Sequence, residues 1–469
     1  MSEPTAFQIE SPTLEVPMSV DSVLEMVKRD APGFRNSTID TLVRSAVFAK
    51  EPAVRDEARL DIRKAAAALG ILPASIQDLY MAMGRGQAGG FTTPAMNLRM
   101  LTYDAARAVF RAAKKRDVGA FIFEIARSEM GYTDQRPGEY AAVILAAAIK
   151  EGHRGPVFIQ GDHFQMNAKK FAADAGAERR AIEALIEEAI PAGFLNIDID
   201  TSTLVDMSQP TEALQQRQNY ENALYFTRVI RALEPKEVTI SIGGEIGEVG
   251  KDVSTPEEFR AFMDGYLAGL PPDMKGVSKI SINTGTSHGG TPLPDGTVAK
   301  VNIHFDAMEA ISKIARKDYG LSGAVQHGAS TVAPENFHQF PEHGASEVHL
   351  ATEFQNMTYE GLPAALREEM YAWLHANAAD EKKPKDTDEQ FLYRSRKKAI
   401  GPFKKAVWDL PEETRAEIGK ILEEKFGFLF EKLLVPGTKS VVEKWVKPVE
   451  LGPALAGAGA FHRDDEAGD

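Results

Sequence analysis

GAFIFEIARSEMGYTDQRPGEYAAVILAAAIKEGHRGPVFIQGDH, residues 119–163, holds in one piece the pattern that decides the fold. It opens with the β-prone run GAFIFEIA (119–126), passes through the long apolar pattern EYAAVILAAAIK (139–150), and ends in a second β-prone run, GPVFIQGDH (155–163). Strand, helix, strand is the crossover unit of a parallel sheet. Outward from it the same texture repeats. TPAMNLR (93–99), GFLNIDID (193–200), EVTISIGGEIG (237–247), VSKISINTG (277–285), GAVQHGAS (323–330) and SEVHLATEF (346–354) bring the candidate strands to eight. Helical patterns such as YDAARAVFRAAKK (103–115), ERRAIEALIEEAI (178–190), YENALYFTRVIRAL (220–233) and HFDAMEAISKIARK (304–317) lie between them. Eight such units over roughly 280 residues match a closed (β/α)8 barrel of the α/β class. An open doubly wound sheet is the structural alternative, and no GxGxxG follows the first strand to support a dinucleotide-binding version of it.

Flanking the barrel, expected over 89–375, are two further regions. Residues 1–88 begin polar, then turn helical through DSVLEMVKRD (21–30), TIDTLVRSAVFAK (38–50) and DEARLDIRKAAAALGI (56–71), with apolar residues at three-to-four spacing. The glycines of MGRGQAGG (83–90) mark the boundary. Residues 376–469 form a C-terminal helical extension. LPEETRAEIGKILEEKFGFLFEKLL (410–434) opens with Pro and acids as helix starts do, and GPALAGAGAFHRDDEAGD (452–469) reads as a loose tail.

Composition narrows the function. A net charge of −14 argues against nucleic acid or an anionic membrane surface as the main partner. The absence of Cys excludes disulfides and thiolate metal sites and suits a reducing cytoplasm. No basic stretch followed by an apolar run opens the chain, and no 18 apolar residues run together. The expectation is a cytoplasmic enzyme acting on a small molecule, a homodimer or larger, with no membrane partner.

In a barrel, chemistry sits where strands end and the following loops begin. His163 closes the third candidate strand, Glu245 ends the fifth, His288 follows the sixth, and His327 ends the seventh. Taken singly, a histidine is more often a hydrogen-bonded structural or surface residue. Placed together on one rim, three imidazoles and a carboxylate suit Zn²⁺ or a similar divalent ion, Co²⁺ or Mn²⁺, at about one per chain, with a position left for a substrate oxygen. Asp162, next to His163, is placed to move protons on a substrate held by that metal. His153, His304, His338, His343, His375 and His462 fall in loops or on helix faces.

These residues carry a resemblance. DH at 162–163, EIGEVG from 245, GTSHG at 285–289 and HGAS from 327 resemble, in order and spacing, the motifs of the class II metal-dependent ketose-bisphosphate aldolases, which include fructose- and tagatose-bisphosphate aldolases, over roughly 91–360. AGFLNIDIDTS (192–202) is also similar to the subunit that accompanies the catalytic tagatose-bisphosphate aldolase. The resemblance implies a zinc-dependent (β/α)8 lyase acting on a sugar or sugar phosphate. It implies His163, His288 and His327 as metal ligands, Glu245 as ligand or near-ligand, and Asp162 as the residue exchanging a proton with the departing aldehyde's hydroxyl. The candidate substrate pocket is Asn97, Gly289 and Thr352, with Glu124, Arg127 and His349 offering donors and acceptors in place of the family's, and phosphate is expected at the usual barrel site on backbone amides near Gly328, Ser330 and Thr352.

Departures fall on the substrate side. Gln160 stands where many members have His, GTPLPDG follows GTSHG where an aromatic and a lysine are common, and the loop carboxylate has only Glu248 or Asp252 to stand in for it. The family's NIDT becomes HLAT, placing His349 and Ala351 at the usual Asn and Asp, and Ala126 replaces a substrate-contacting Ser. A sugar epimerase would use the same metal and Asp162, and a non-catalytic aldolase partner is a third class, against which the retained metal residues argue.

Overall fold

The computed structural model describes residues 18–247, 252–286, 293 and 303–451. Among them, nine strands run in chain order: β1 (Ile71–Ala74), β2 (Thr93–Asn97), β3 (Ile122–Ala126), β4 (Gly155–Gln165), β5 (Asn196–Asp200), β6 (Ser241–Glu245), β7 (Lys279–Ile282), β8 (Ala324–Gln326) and β9 (Glu347–Leu350). From β2 to β9 each strand pairs in parallel with the next, and β9 pairs back with β2 from Thr93↔Glu347 to Met96↔Leu350. That last pairing closes the sheet, so the fold is the (β/α)8 barrel and not the open alternative.

The first strand lies outside the eight. The helical pattern 56–71 ends early: the helix Pro52–Ala68 stops, Gly70 takes a left-handed φ of 72°, and the chain turns into β1 alongside Gly155–Phe158 of β4. Glycine bears that φ without a Cβ clash. Asn196 joins β1 to the barrel, accepting from Ile76 N at 2.9 Å and donating to the Ala74 carbonyl at 3.1 Å.

Helices wrap the outside, among them Thr102–Lys114, Pro137–Lys150, Ala175–Ala192, Arg217–Leu233, Pro256–Gly269 and Phe305–Tyr319. Pro137–Lys150 is apolar nearly all round because it is covered all round, packing on the helices Thr102–Lys114, Ile39–Phe48 and Pro52–Ala68. The lower end, where strands begin, is closed from both termini. Tyr80, on the helix Gln77–Gly84, is fully buried and donates its hydroxyl to Glu347. The Leu433 carbonyl, just past the helix Glu412–Lys432, accepts from Thr92 N at 2.9 Å, and Thr438 Oγ1 accepts from Gly119 N and Ala120 N at 3.1 Å each. At the upper rim the segment 396–408 packs against the loop after β3, with Gly401 N donating to the Tyr132 carbonyl at 2.9 Å and Lys404 Nζ 2.5 Å from Glu139.

The barrel interior is polar where barrels of this kind are ordinarily filled by Val, Ile and Leu. Asp198, Gly243 and Lys279 stand in register on β5, β6 and β7 and share one inward layer. Gly243 is glycine of necessity, since a Cβ there would lie 2.3 Å from Asp198 Oδ1 and 2.9 Å from Lys279 Cε. Lys279 Nζ donates to Gln160 Oε1 at 2.8 Å, to Asp198 Oδ2 at 3.0 Å and to Glu347 Oε1 at 2.5 Å. No helix among the described residues is long and apolar enough to cross a membrane.

Candidate functional site

Successive strand residues point to opposite faces, so Asp162 and His163 could not both face the barrel mouth from a regular β4. The strand is not regular there. Gly161 pairs with Ile197 and Phe164 with Ile199, three steps on β4 against two on β5, which is a β-bulge at Asp162 and His163. His163 takes a left-handed φ of 39°, a sparsely populated conformation for a side-chain-bearing residue. The result turns both side chains to one place.

His163 is held from one side and presented from the other. Its Nδ1 donates to Asp200 Oδ2 at 2.9 Å, with Glu245 Oε2 3.4 Å away. Its Nε2 lies 2.5 Å from His327 Nδ1, and Asp162 Oδ1 is 3.8 Å from it. The other nitrogen of His327 is 2.9 Å from Ser281 Oγ. Because a carboxylate only accepts, Asp200 fixes a proton on His163 Nδ1 and leaves Nε2 as the nitrogen for which a proton and a metal cation compete. When Ser281 accepts from His327 Nε2 and His163 Nε2 carries no proton, the two facing nitrogens both present lone pairs, and a cation bound by both is what that arrangement suits. Donor atoms of His163, Glu245 and His327 all lie within 4.8 Å of one another, and three buried carboxylates surround the pair. The residues therefore fit a divalent ion. Burial would lower the His163 imidazole, but Asp162, Glu245 and Asp200 outweigh it and hold it well above its ordinary value. Asp200 is kept below the usual carboxylate range, against its burial, by bonds from His163, Ser202 and Gln165.

His349 sits one layer inward. Its ring stacks on His327 with centroids 4.0 Å apart. Its Nδ1 lies 2.9 Å from Glu124 Oε2 and 3.3 Å from Asp162 Oδ1, and its Nε2 lies 2.7 Å from Glu347 Oε1. Burial, followed by the nearby Asp162 carboxylate, pushes Glu124 up to about 8. The site is thus a group of side chains that could hold a cation at the rim, above a buried layer of paired charges.

The family model for class II fructose-bisphosphate aldolases matches residues 78–414. The chain belongs to that family. Among solved structures, the fructuronate-tagaturonate epimerase of Cohnella laeviribosi superposes with a TM-score of 0.55 at 11% identity, covering 84% of this chain and 89% of that one, a likeness of fold alone. A fructose-bisphosphate aldolase of Campylobacter jejuni gives a TM-score of 0.48 at 18% identity, over 78% of this chain and 96% of that one. The YdjI aldolase of Escherichia coli K12 gives 0.44 at 13%, over 78% and 99%. No curated protein sequence matches the chain.

Within this family frame, the structure brings Asp162, His163, Glu245, His327, His349 and Glu124 together. His288, Gly289 and Glu248 lie outside the described residues. Asn97 is in register with Glu124 and donates to Glu129 at 2.5 Å. Gly328 and Ser330 form the turn after β8, and the Ser330 hydroxyl accepts from Ala351 N, beside Thr352, at 3.0 Å. Arg127 points elsewhere: its Nη1 donates to the Gln165 carbonyl at 2.8 Å and to Glu178 at 2.6 Å, bracing the end of β4. Asp252 gives its backbone carbonyl to Asn283 Nδ2 at 3.1 Å. Sequence reasoning missed Asp200, Asp198, Lys279 and Glu347. The signal was there in NIDID (196–200), where an acid recurs at every second residue.

Proposed function

We propose that the chain is a metal-dependent aldolase-type lyase that cleaves or forms a ketose or ketose phosphate. The observation that carries this reading is the convergence of His163 Nε2 and His327 Nδ1, backed by Asp200 and Ser281, beside Glu245 and Asp162. His163, Glu245 and His327 would hold a divalent ion, zinc being the first expectation, with His288 as the further ligand that the family motif suggests. Bound there, the ion supplies Lewis acidity toward a ketose carbonyl and its neighbouring hydroxyl, worth several kcal/mol in such reactions.

The protein's own groups do the rest. In cleavage, Asp162 takes the proton from the C4 hydroxyl, the C3–C4 bond breaks with its electron pair passing to the carbonyl fragment, and once the aldehyde has left, Asp162 returns the proton to C3 of that fragment. Asp200 orients His163, and the barrel wall keeps water from the layer below. Gly328, Ser330 and Thr352 are the proposed phosphate contacts. No lysine Schiff base is required, and Lys279 is unsuited to one, since Asp198 and Glu347 hold it protonated against its burial.

Product NMR after incubating metal-loaded protein with phosphorylated and unphosphorylated ketoses tests the reading. Two carbonyl fragments from one ketose support it. A C4-inverted ketose with no fragments would assign the chain to epimerisation, for which His349 beside Asp162 offers a second proton-transfer group. With the family's Asn, Asp and phosphate-side Lys replaced, fructose 1,6-bisphosphate is expected to be a poorer substrate than another member of the panel.

A further inference from the structure

We propose that Arg99 binds the anionic end of the substrate, a phosphate or a carboxylate, and so sets specificity; this rests on the ketose reading above. The chain lacks the cation that commonly follows GTSHG in the family, having GTPLPDG there. Lys279 is held by Asp198 and Glu347, and Arg127 by Glu178 and the Gln165 carbonyl. Arg99 lies two residues beyond β2. Its Nε donates to Glu129 Oε1 at 2.8 Å and its Nη2 lies 2.5 Å from the same oxygen. The other oxygen of Glu129 accepts from Ala126 N at 2.8 Å and from Asn97 Nδ2 at 2.5 Å. One edge of the guanidinium is therefore fixed.

The remaining nitrogen, Nη1, reaches the turn after the neighbouring strand β9, where Gln355 Oε1 lies at 3.2 Å and Thr352 Oγ1 at 3.5 Å in the first turn of the helix Thr352–Gly361. The Thr352 contact is long and both go to neutral oxygens, which an anion would displace because charge-assisted bonds are shorter and stronger. Arg99, Ser330 and Thr352 are half-buried and Gln355 is buried, so the position is sheltered without being sealed. A second observation points to a ligand at the same cluster: Asn97 is 1% exposed and its Oδ1 has no hydrogen-bond partner. A sugar hydroxyl donating to that oxygen would satisfy it while the anionic group of the same molecule meets Arg99.

Calorimetry on the metal-loaded full chain with inorganic phosphate and with malonate, for wild type, Arg99→Gln and Arg99→Lys, tests this without requiring turnover. The expected result is binding of at least one anion, weakened about 10- to 100-fold by Arg99→Gln, the scale of a lost charged hydrogen bond, and less by Arg99→Lys. Tighter phosphate assigns a sugar phosphate, and tighter malonate a sugar acid. Kinetics supply the control against a merely structural clamp: kcat/KM should fall further on anionic than on neutral ketoses by a similar factor. Equal loss on both, unchanged anion binding in Arg99→Gln, or no anion binding by wild type overturns the proposal. If no ketose is turned over, the aldolase reading fails while calorimetry still decides the role of Arg99. Should Arg99→Gln fail to fold, Arg99→Lys, which keeps a cation beside Glu129, carries the same comparison.

Discussion

His163 adopts a left-handed backbone at the bulge of β4, and the side chains on either side of that strain divide the work. Asp162 stands beside the facing imidazoles of the proposed site, its Oδ1 3.8 Å from His163 Nε2, where the family resemblance gives it the proton rather than the metal. Asp162→Ala is therefore expected to retain metal while turnover falls by about 10²-fold or more, the usual scale for a general acid or base. Elemental analysis beside single-turnover rates checks it, and joint loss of metal and activity would reassign Asp162 to structural support. Asp200 acts through another residue. Removing its grip on His163 Nδ1 with Asp200→Ala should lower metal affinity about 10- to 100-fold, as loss of a ligand-orienting partner does, measured by competition with a chromogenic chelator. Unchanged affinity would show that His163 needs no such support. The Asp-His pair was legible as a motif, but its shared direction was not. Strand alternation sends neighbours apart, and only the pairing of β4 with β5 reveals the extra residue.

At the scale of elements, the alternation of NIDID had been readable only as a strand, since alternation alone does not say which phase faces in. Here Asn196, Asp198 and Asp200 point inward while Ile197 and Ile199 lie under the outer helices, the reverse of an apolar-cored barrel. The phase is fixed by what faces those acids: Gly243 clears the space and Lys279 supplies the charge, and neither is near them in sequence. Lys279→Met would leave Asp198 and Glu347 without the cation they share, a loss of about 3–5 kcal/mol for a broken buried pair, to be read from urea unfolding followed by circular dichroism. A stability within 1 kcal/mol of wild type would mean that the acids are protonated in the folded chain, as far as about that energy allows. A second buried acid titrates on its own. Asp61, on the helix Pro52–Ala68, is fully buried with neither oxygen hydrogen-bonded, and burial, with Glu57 adding to it, pushes it up to about 7. A raised carboxyl pKa means the folded state keeps a proton that the unfolded chain releases, so its contribution is present at low pH and lost as pH rises toward 7. Asp61→Asn should thus gain stability over wild type at pH 8 and lose that advantage by pH 4. A difference that does not change between those pH values would show that Asp61 is not protonated in the fold.

For the molecule as a whole, eight strand-helix alternations made the barrel legible, because each unit announces itself locally by a change of period. The closure and the ends did not announce themselves. β1 is four residues long and follows a helix without a break in apolar content, and the amphipathic run 410–434 reads alike whether it covers the barrel, closes over the site or joins another copy. The structure gives it a place: the helix Glu412–Lys432 lies along Thr102–Lys114, the first crossover helix, and the chain beyond it bonds to the starts of β2 and β3. Ile418, Leu422, Phe426, Leu429, Phe430 and Leu433 are all buried there. Each contributes about 1.5–3 kcal/mol on burial, and together they rival the roughly 5–15 kcal/mol by which whole domains are stable. Removal would also strip the first crossover helix of its cover and leave the amide groups of Thr92, Gly119 and Ala120 without partners. A chain ending at residue 410 is therefore expected to lose its fold, with no cooperative thermal transition and no stoichiometric metal. If the shortened chain instead melts cooperatively and binds one metal per chain, the segment is an attachment to a barrel that stands without it.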